Sequence, residues 1–535
     1  MKKILFLLLF IAINAAAQQQ PSLIPMPNSL LQKEGSFTLN QTTLIVANQQ
    51  LQKLSWYLKN ELLTFTKLSL VAVHQSEKPS IYLQLTNKGK SKTNDEAYSL
   101  TINTNKITIS AATESGLFYG ITTFLQLVRT AKATNQSLSI PNLVIEDQPA
   151  YAWRGIMLDE SRAFYGKEKV KAILDWMAFY KLNRFHWHLT DEPAWRLEIK
   201  KYPKLTLIGG IGNYLNPNAP AQYYTQSDIK EIISYAAERY ITVIPEIDMP
   251  GHATAANMAY PAYSGGGSKA HPEFTFNPGK ESTYQYLANI VKETNVLFPS
   301  GLIHLGGDEV SYGNEKWKTD PEISSLKQKE NLKDDKAVEL YFMKRMADSV
   351  YQMNAKVLVW DEMADAGLPA DKTIIFWWRH DQPKQLQTAL NNKYQTVLCP
   401  RLPLYFDFVQ DSTHQYGRKW NKLYNPIQNV YEFDASKLAE NAEQAKNILG
   451  IQANLWTETA PTIQRLDYLL FPRISALAEA AWTTNINKNT NAFTDRMKTH
   501  LPLYKLAGLY YYDPFYPLRN PEPVTERKQP LSYID

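Results

Sequence analysis

The segment Leu302-Ile303-His304-Leu305-Gly306-Gly307-Asp308-Glu309-Val310 shows the pattern that decides the fold of the larger part of this chain. A short apolar strand stops at two glycines, and two adjacent carboxylates follow at once. Seven further apolar strands recur along the chain, each followed by an amphipathic stretch of helical periodicity. They span residues 155–158, 184–189, 242–247, 357–360, 373–377, 396–398 and 450–455. Eight strand-then-helix units predict a (β/α)8 barrel, a TIM barrel, over residues 151–485.

Residues 18–150 have a different pattern, which predicts a separate, smaller α+β domain before the barrel. Three segments alternate apolar and polar residues, as half-buried strands do, and they span residues 80–85, 98–102 and 106–110. Residues 116–130 carry apolar side chains at helical spacing and are expected to cross the sheet. We expect residues 141–149 to be a strand-like link with prolines at both ends, and we place the domain boundary near Tyr151.

The two ends of the chain give further expectations. Residues 1–17 have the three parts of a secretory signal: Lys2 and Lys3, an apolar run from Ile4 to Ile13, and a small-residue exit ending at Ala17. The run is too short for a lasting membrane span, which needs about 20 apolar residues, and no later segment reaches that length. We therefore expect an exported protein, periplasmic or secreted, without a membrane span. Residues 486–535 are expected to form an extension that packs on the barrel.

Composition excludes some classes of protein and favours another. Cys399 is the only cysteine in 535 residues, so no intramolecular disulfide can form. The formal net charge is only +5 and the lysines are scattered, which excludes a nucleic-acid partner. Several of the 12 tryptophans stand beside acidic residues. This pairing is typical of sugar-binding surfaces, where aromatic rings stack on C–H faces and charged groups bind hydroxyls.

Polar and aromatic residues stand at the ends of all seven other predicted barrel strands. The segments are Asp159-Glu160-Ser161-Arg162, Thr190-Asp191-Glu192, Asp248-Met249-Pro250-Gly251-His252, Trp360-Asp361-Glu362, Trp377-Trp378-Arg379, Tyr405-Phe406-Asp407 and Trp456-Thr457-Glu458-Thr459. Barrels of this type place their chemistry where strands end, so these residues predict a carbohydrate pocket at one mouth. A metal site formed by His186, His188 and His304 is the alternative. These histidines precede the strand ends, so we interpret them as interior residues and expect neither a metal nor a cofactor.

Five motifs, in their order and spacing, resemble those of the β-N-acetylhexosaminidases of glycoside hydrolase family 20. They are Asp159-Glu160-Ser161-Arg162, His186-Trp187-His188-Leu189-Thr190-Asp191, Pro250-Gly251-His252, His304-Leu305-Gly306-Gly307-Asp308-Glu309-Val310 and Leu455-Trp456-Thr457-Glu458. The resemblance covers residues 18 to about 485. It implies an exo-acting retaining enzyme that needs no cofactor. Its expected substrate is an oligosaccharide or glycoconjugate with a terminal β-linked GlcNAc or GalNAc.

The resemblance also implies the catalytic roles. Glu309 is expected to protonate the glycosidic oxygen, and Asp308 to position and stabilise the 2-acetamido group, whose oxygen attacks the anomeric carbon. Neighbouring residues on one strand end are poorly placed to face each other across a sugar at the ~5 to 5.5 Å of an ordinary retaining pair. A nucleophile supplied by the substrate removes this difficulty.

The substrate contacts are assigned by the same resemblance. Arg162 is expected to bind ring hydroxyls and Tyr405 the acetamido oxygen, while Asp191 and His252 tune the acid. The outer hydroxyls are assigned to Asp407 and Glu458, and the walls to Trp360, Trp378 and Trp456. Trp377 is an alternative to Trp378 because successive strand side chains alternate between faces, and Trp378 is chosen because it adjoins Arg379. Residues 260–276 offer no landmark, which leaves the outer subsites open.

Two other functions are compatible with this pattern. A related exo-glycosidase that releases a disaccharide would need a more open pocket, and the sequence does not determine pocket depth. A non-catalytic carbohydrate-binding barrel is the second alternative, since a fold does not guarantee activity. That alternative predicts the loss of an acid, whereas Asp308 and Glu309 are both present. The sequence determines neither the oligomeric state nor the preference between GlcNAc and GalNAc.

Overall fold

The computed structural model describes residues 21–86, 95–134, 137–419 and 422–524. The predicted leader, residues 1–17, lies outside the described residues. The described chain forms a mixed sheet with two helices, followed by a closed barrel surrounded by helices. Within these ranges, no helix has both the length and the apolar character that crossing a bilayer requires.

An eight-stranded mixed sheet forms the N-terminal domain. Its strands are β1 (Ser29–Leu39), β2 (Leu44–Val46), β3 (Val71–Val73), β4 (Ser80–Leu85), β5 (Tyr98–Asn103), β6 (Lys106–Ala111), β7 (Lys132–Thr134) and β8 (Ser137–Asp147). They lie in the order β1-β8-β5-β6-β4-β2-β3, with β7 paired to β8. Helix α2 (Glu114–Arg129) packs on β5 and β6, and α1 (Gln52–Thr66) packs on α2. The alternation of buried and exposed residues in β4, β5 and β6 agrees with the predicted half-buried strands.

The predicted link at residues 141–149 is instead largely part of the sheet. Residues 141–147 belong to β8, which lies between β1 and β5 and pairs with both. Pro141 is tolerated there because β5 pairs with β8 only from Leu143 onward, and the register with β1 shifts beside it. A proline lacks the N–H that a fully paired interior position requires.

Eight parallel strands close into the barrel, so the predicted fold class is confirmed. With a short hairpin that projects from the barrel, the strands are β9 (Trp153–Asp159), β10 (Arg184–His188), β11 (Thr242–Glu246), β12 (Ser264–Gly266), β13 (Thr275–Phe276), β14 (Leu302–His304), β15 (Lys356–Trp360), β16 (Thr373–Trp377), β17 (Gln395–Leu398) and β18 (Ile448–Leu455). The barrel order is β9-β10-β11-β14-β15-β16-β17-β18, and β18 pairs with β9. All eight barrel strands begin and end within two residues of the predicted positions.

Helices surround the barrel and continue beyond it. They are α3 (Lys167–Phe179), α4 (Lys204–Leu207), α5 (Gln226–Ala237), α6 (Thr254–Ala259), α7 (Glu281–Leu297), α8 (Pro321–Lys329), α9 (Asp335–Tyr351), α10 (Pro383–Asn391), the short α11 (Arg401–Leu404), α12 (Ile427–Glu432), α13 (Ala442–Asn447), α14 (Ile463–Leu470), α15 (Arg473–Trp482) and α16 (Thr490–Leu506). In α16, Phe493, Met497 and Leu501 are buried. The Tyr504 hydroxyl lies 2.7 Å from that of Tyr180, which caps α3, so α16 rests on the barrel's outer helices.

A buried ion pair joins the N-terminal sheet to the barrel. Asp147, at the end of β8, accepts hydrogen bonds from the Tyr98 hydroxyl at 2.6 Å and from the Trp482 indole at 3.0 Å. The Lys181 ammonium lies 3.2 Å from the same carboxylate. Burial lowers the pKa of Lys181, and the Asp147 carboxylate opposes this effect. This junction between the two domains therefore contains a buried ammonium whose charge the Asp147 carboxylate balances.

We predict that Asp147→Ala lowers the free energy of unfolding by about 3–5 kcal/mol, because it leaves Lys181 buried without a counter-ion. Chemical or thermal denaturation measures the loss. Asp175→Ala is the matched control, since Asp175 is 50% exposed and pairs with Arg239. Such a pair contributes about 0–1 kcal/mol. Equal losses in the two variants would contradict the assigned role of Asp147.

Candidate active site

A cavity of about 780 Å³ opens at the carboxyl ends of the barrel strands. Loops that follow all eight strands contribute to its wall, so side chains surround it on every side. Ten of the eleven predicted site residues line it. They are Arg162, Asp191, His252, Asp308, Glu309, Trp360, Trp378, Tyr405, Trp456 and Glu458.

The turn after β14 brings Asp308 and Glu309 into this cavity. Gly306 and Gly307 have φ values of +67° and +93°, which favour glycine. A Cβ atom on Gly306 would lie 1.7 Å from Asp248 Oδ1, which leaves no space for any side chain. Glu309 itself has φ +52°, a conformation that is unfavourable for a residue with a Cβ atom. The turn is therefore strained at the acid itself.

His252 lies between the two carboxyl groups. Its Nε2 is 3.6 Å from Asp308 Oδ2 and 3.6 Å from Glu309 Oε2. Burial raises the pKa of Glu309, and the His252 cation opposes the rise. Burial, reinforced by Asp248, raises the pKa of Asp308 well above its usual range. A raised pKa extends to higher pH the range in which Glu309 is protonated, which is the state that a general acid requires.

The charge of His252 is fixed by Asp191. Burial acts to lower the pKa of His252, but Asp191 and Asp308 reverse this effect and raise it to about 10. The protonated ring donates from Nδ1 to Asp191 Oδ1 at 3.1 Å. Burial likewise acts to raise the pKa of Asp191, but Arg162 and His252 hold it well below its usual range. Arg162 lies 2.7 Å from Asp191 Oδ2 and 3.9 Å from Glu458.

Glu246, at the end of β11, supports the cavity from below. It accepts a hydrogen bond from the Trp360 indole at 2.9 Å, and His304 Nδ1 lies 3.0 Å from the same carboxylate. His188 Nδ1 lies 2.5 Å from Glu246, while its Nε2 lies 2.9 Å from Asp191 Oδ2. One residue thus holds both a wall tryptophan and the histidine that supports Asp191.

The histidines interpreted as interior residues are fully buried. His186, Glu246 and His304 have ligand atoms within 4.8 Å of one another, close enough to hold a metal ion. Glu246 is already engaged with these histidines and with Trp360. His188 is buried as expected, and its bond to Asp191 also makes it part of the support of the site.

Aromatic rings form the wall of one side of the cavity. The rings of Trp378 and Tyr405 are nearly parallel, with an angle of 13° and centroids 6.3 Å apart. Trp456 lies 6.1 Å from Trp360 and 6.2 Å from Tyr405. The structure places Trp378 in the cavity, whereas Trp377 packs in the outer core and donates to the Gln382 carbonyl. These rings give the cavity an apolar wall.

Asp407 is the one predicted site residue that does not line the cavity. It is buried, and Arg418 Nε lies 3.3 Å from its Oδ2. Burial raises the pKa of Asp407 to about 7, while Arg418 opposes the rise. Arg418 does line the cavity, so a cation occupies the wall where a carboxylate was expected. No strand end precedes Arg418 directly, and the sequence pattern therefore missed it.

The segment 260–276, which offered no landmark, also reaches the cavity. It forms the β12–β13 hairpin, and residues 268–271 at its tip line the mouth. His271 Nδ1 lies 3.0 Å from Glu192 of the loop after β10, which fixes the tip. The run Gly265-Gly266-Gly267 indicates a turn, but a turn signal does not reveal which surface the turn contacts.

A barrel whose mouth holds paired carboxyl groups, a buried histidine–aspartate pair and aromatic walls defines the class of a glycoside hydrolase. The sequence profile of the glycosyl hydrolase family 20 catalytic domain matches residues 151–485, and that of the family's domain 2 matches residues 20–148. The chain belongs to glycosyl hydrolase family 20. This confirms the resemblance drawn from the motifs.

Relatives and solved structures agree with this assignment. A beta-hexosaminidase of Porphyromonas gingivalis is 33% identical over 92% of this chain, which spans 64% of that protein. A beta-hexosaminidase of Vibrio furnissii is 33% identical over 87% of this chain and 77% of its own length. The GH20 exo beta-N-acetylglucosaminidase of Vibrio harveyi, solved with N-acetylglucosamine, superposes with a TM-score of 0.84 at 30% identity, covering 92% of this chain and 79% of that one. The chain is thus a hydrolase of the β-hexosaminidase class.

We predict that Gly306→Ala abolishes most activity, roughly 10²-fold or more, because displacement of the turn misplaces both carboxyl groups. Gly301→Ala is the matched control. Gly301 has a similar φ of +63°, but its Cβ atom would meet nothing within 4 Å. Both variants carry the conformational cost of about 1–2 kcal/mol, and only the first carries the clash. Similar turnover in the two variants would show that the space around Gly306 does not matter.

We predict that His252→Asn moves the alkaline limb of the kcat/KM profile to higher pH. A general acid acts in its protonated form, so with Glu309 in that role activity is lost as pH rises through its pKa. The His252 cation lowers the pKa of Glu309, so its removal raises this pKa further. His271→Asn removes a half-buried histidine that pairs with Glu192 and should move the limb less. A shift of the His252 variant to lower pH would refute the assignment of Glu309 as the acid.

Proposed function

We propose that this chain is an exo-acting, retaining β-N-acetylhexosaminidase that removes terminal non-reducing GlcNAc or GalNAc from β-glycosides through an oxazolinium intermediate. The observation that supports this proposal most directly is the position of the Asp308 and Glu309 carboxyl groups beside His252. One ring nitrogen lies 3.6 Å from each, and the two residues are neighbours on one turn. This arrangement places them poorly to act as an acid and a nucleophile on opposite faces of a sugar, and a nucleophile supplied by the substrate removes the difficulty.

In the proposed reaction, Glu309 donates its proton to the glycosidic oxygen while the acetamido oxygen of the substrate attacks the anomeric carbon. The leaving group departs with that proton, and the oxazolinium carries a positive charge beside Asp308. Water then opens the intermediate at the anomeric carbon, with Glu309 accepting its proton. Two displacements at one carbon give net retention.

Asp308 suits the role of acetamido partner. Its Oδ1 is buried and has no hydrogen-bond partner in the part of the chain that the structure describes. A buried acceptor of this kind is costly unless a ligand donates to it. The N–H of a 2-acetamido group is such a donor, and the methyl group would occupy the space among Trp360, Trp378 and Trp456. Charge on the amide strengthens the interaction as the oxazolinium forms.

Exo action is supported by the shape of the cavity, because loops from all eight strands surround it and favour a chain end over the middle of a chain. Arg162 and Glu458 lie 3.9 Å apart at one side and would bind the ring hydroxyls. The Vibrio harveyi structure contains N-acetylglucosamine, which supports a GlcNAc-containing substrate. Export after cleavage at Ala17 is part of the proposal and rests on the sequence of residues 1–17.

We predict that Glu309→Gln lowers turnover on natural glycosides about 10²- to 10⁴-fold, because the amide keeps the shape of the acid but cannot donate the proton. Aryl glycosides with good leaving groups need less protonation, so their cleavage step should lose less. Single-turnover rates with a graded series of phenyl glycosides measure this dependence. An equal loss for all leaving groups would reject Glu309 as the general acid.

We also predict that β-glucosides react orders of magnitude more slowly than β-N-acetylglucosaminides, because a hydroxyl replaces the internal nucleophile. The assay compares para-nitrophenyl β-N-acetylglucosaminide, β-N-acetylgalactosaminide and β-glucoside. A stable thiazoline analogue should inhibit competitively, and Asp308→Asn should weaken that inhibition. A 2-deoxy-2-fluoro glycoside that left a covalent ester on any carboxylate of the protein would defeat the substrate-assisted mechanism.

A further inference from the structure

The C-terminal extension contacts a loop that reaches the barrel mouth. This loop, residues 409–418, lies between α11 and α12 and ends at Arg418, which lines the cavity. The Tyr512 hydroxyl, beyond α16, donates a hydrogen bond to Asp411 at 3.2 Å. The extension therefore touches the beginning of a loop whose last residue forms part of the cavity wall.

Glu522 binds the same loop at its tip. Its carboxylate accepts hydrogen bonds from the backbone N–H groups of Gln415 at 2.6 Å and of Tyr416 at 3.0 Å. Backbone N–H groups of this kind need a partner once they are removed from water. Two consecutive N–H groups directed at one carboxylate also restrict the backbone dihedral angles between them. Glu522 thus fixes the conformation of the loop two residues before Arg418.

A buried arginine holds Glu522 in this position. Arg465, in the first turn of α14, donates from Nη1 to Glu522 at 2.8 Å, and its side chain is fully buried. Burial lowers the pKa of Arg465, and the Glu522 carboxylate opposes this effect. A Cβ atom on Gly417 would lie 2.9 Å from Arg465 Nη2, so the guanidinium packs directly against the loop. Because a buried cation is costly without a counter-ion, Glu522 is strongly favoured at this place.

The loop in turn determines where Arg418 lies. The Arg418 N–H donates to the Asp407 carbonyl at 3.4 Å, and the Val409 N–H donates to the Arg418 carbonyl at 3.2 Å. From this backbone position the Arg418 side chain reaches the Asp407 carboxylate, 3.3 Å from Nε, and the cavity. A displaced loop would remove the cation from the cavity wall and leave the buried Asp407 without it.

We propose that Glu522 is a positioning residue of the active site, through which the C-terminal extension holds the loop of residues 409–418 and keeps Arg418 in the cavity wall. The proposal rests on the proposed function for its substrate, a terminal N-acetylhexosamine. Glu522 does not line the cavity, so it acts through Arg418. A guanidinium stays protonated and transfers no proton. Its displacement should therefore weaken substrate binding more than it slows the chemical step.

The test is a double-mutant cycle of Glu522→Ala and Arg418→Ala, with kcat and KM measured on para-nitrophenyl β-N-acetylglucosaminide. Glu522→Ala should raise KM roughly tenfold and change kcat less than about threefold, as expected for the loss of a hydrogen bond from a charged group. In the Arg418→Ala background the same change should raise KM less than about twofold, because the side chain that Glu522 positions is already absent. Glu522→Gln keeps the size and one acceptor oxygen, so its KM should lie between those of the wild type and Glu522→Ala.

Glu479→Gln is the matched control for Glu522→Gln. Glu479 also pairs with a mostly buried arginine, Arg496, and accepts a hydrogen bond from the backbone N–H of Met26 at 3.0 Å. It lies in α15 and does not line the cavity. Its loss should lower Tm but leave KM at the wild-type value. Glu522→Gln serves for the whole comparison if Glu522→Ala does not fold.

Two kinetic results would overturn the positioning role and leave the proposed function standing. They are an equal rise in KM with and without Arg418, and a lowered Tm with a wild-type KM. Inactivity of the wild-type enzyme on this substrate would instead contradict the proposed function. A crystal structure of Glu522→Gln or Glu522→Ala tests the positioning role without turnover, because the ion pair between Arg418 and Asp407 should be broken. An intact pair in its original place would refute the proposal.

Discussion

The site depends on the hydrogen bonds and ion pairs that the Asp191 carboxylate makes with three neighbouring side chains. Arg162 and His188 lie 2.7 and 2.9 Å from Oδ2, and His252 lies 3.1 Å from Oδ1. The carboxylate is almost fully buried, so it is stable as an anion only because these partners surround it. In return it keeps His252 charged. Arg162 and His252 are thus oriented by the same group, which in the proposed reaction couples the binding of the sugar hydroxyls to the proton donor.

Glu246 extends this coupling to the aromatic wall. Its carboxylate binds the Trp360 indole and also contacts His188. The other ring nitrogen of His188 lies 2.9 Å from Asp191. The aromatic wall and the charged pair of Asp191 and His252 therefore cannot shift independently. Such rigid support lets charges and dipoles act on a developing cation without reorganisation during the reaction. Its cost is a set of buried charges, which the surrounding barrel must stabilise.

Much of the fold and of the site could be predicted from the sequence, and there are physical reasons why the remaining residues were missed. Barrel strands are apolar runs that stop abruptly, so all eight were found, and the strand-end residues followed from the geometry of parallel strands. The residues of a long loop follow no comparable sequence pattern that would show which of them reach the cavity. Arg418 and the tip at residues 268–271 reach the cavity only because of how their loops fold back. The resemblance assigned Asp407 to the outer hydroxyls, yet Arg418, 3.3 Å from its carboxylate, lines the cavity and Asp407 does not.

The strain at Glu309 has a geometric origin. Successive side chains of an extended strand point to opposite faces, so Asp308 and Glu309 could not both reach the mouth from a straight β14. The two glycines and the left-handed Glu309 turn the chain until both carboxyl groups contact His252. A conformation of this kind costs on the order of 1–3 kcal/mol, and it persists only where the surroundings fix it. Asp248 beside Gly306 and the buried His252 provide that restraint.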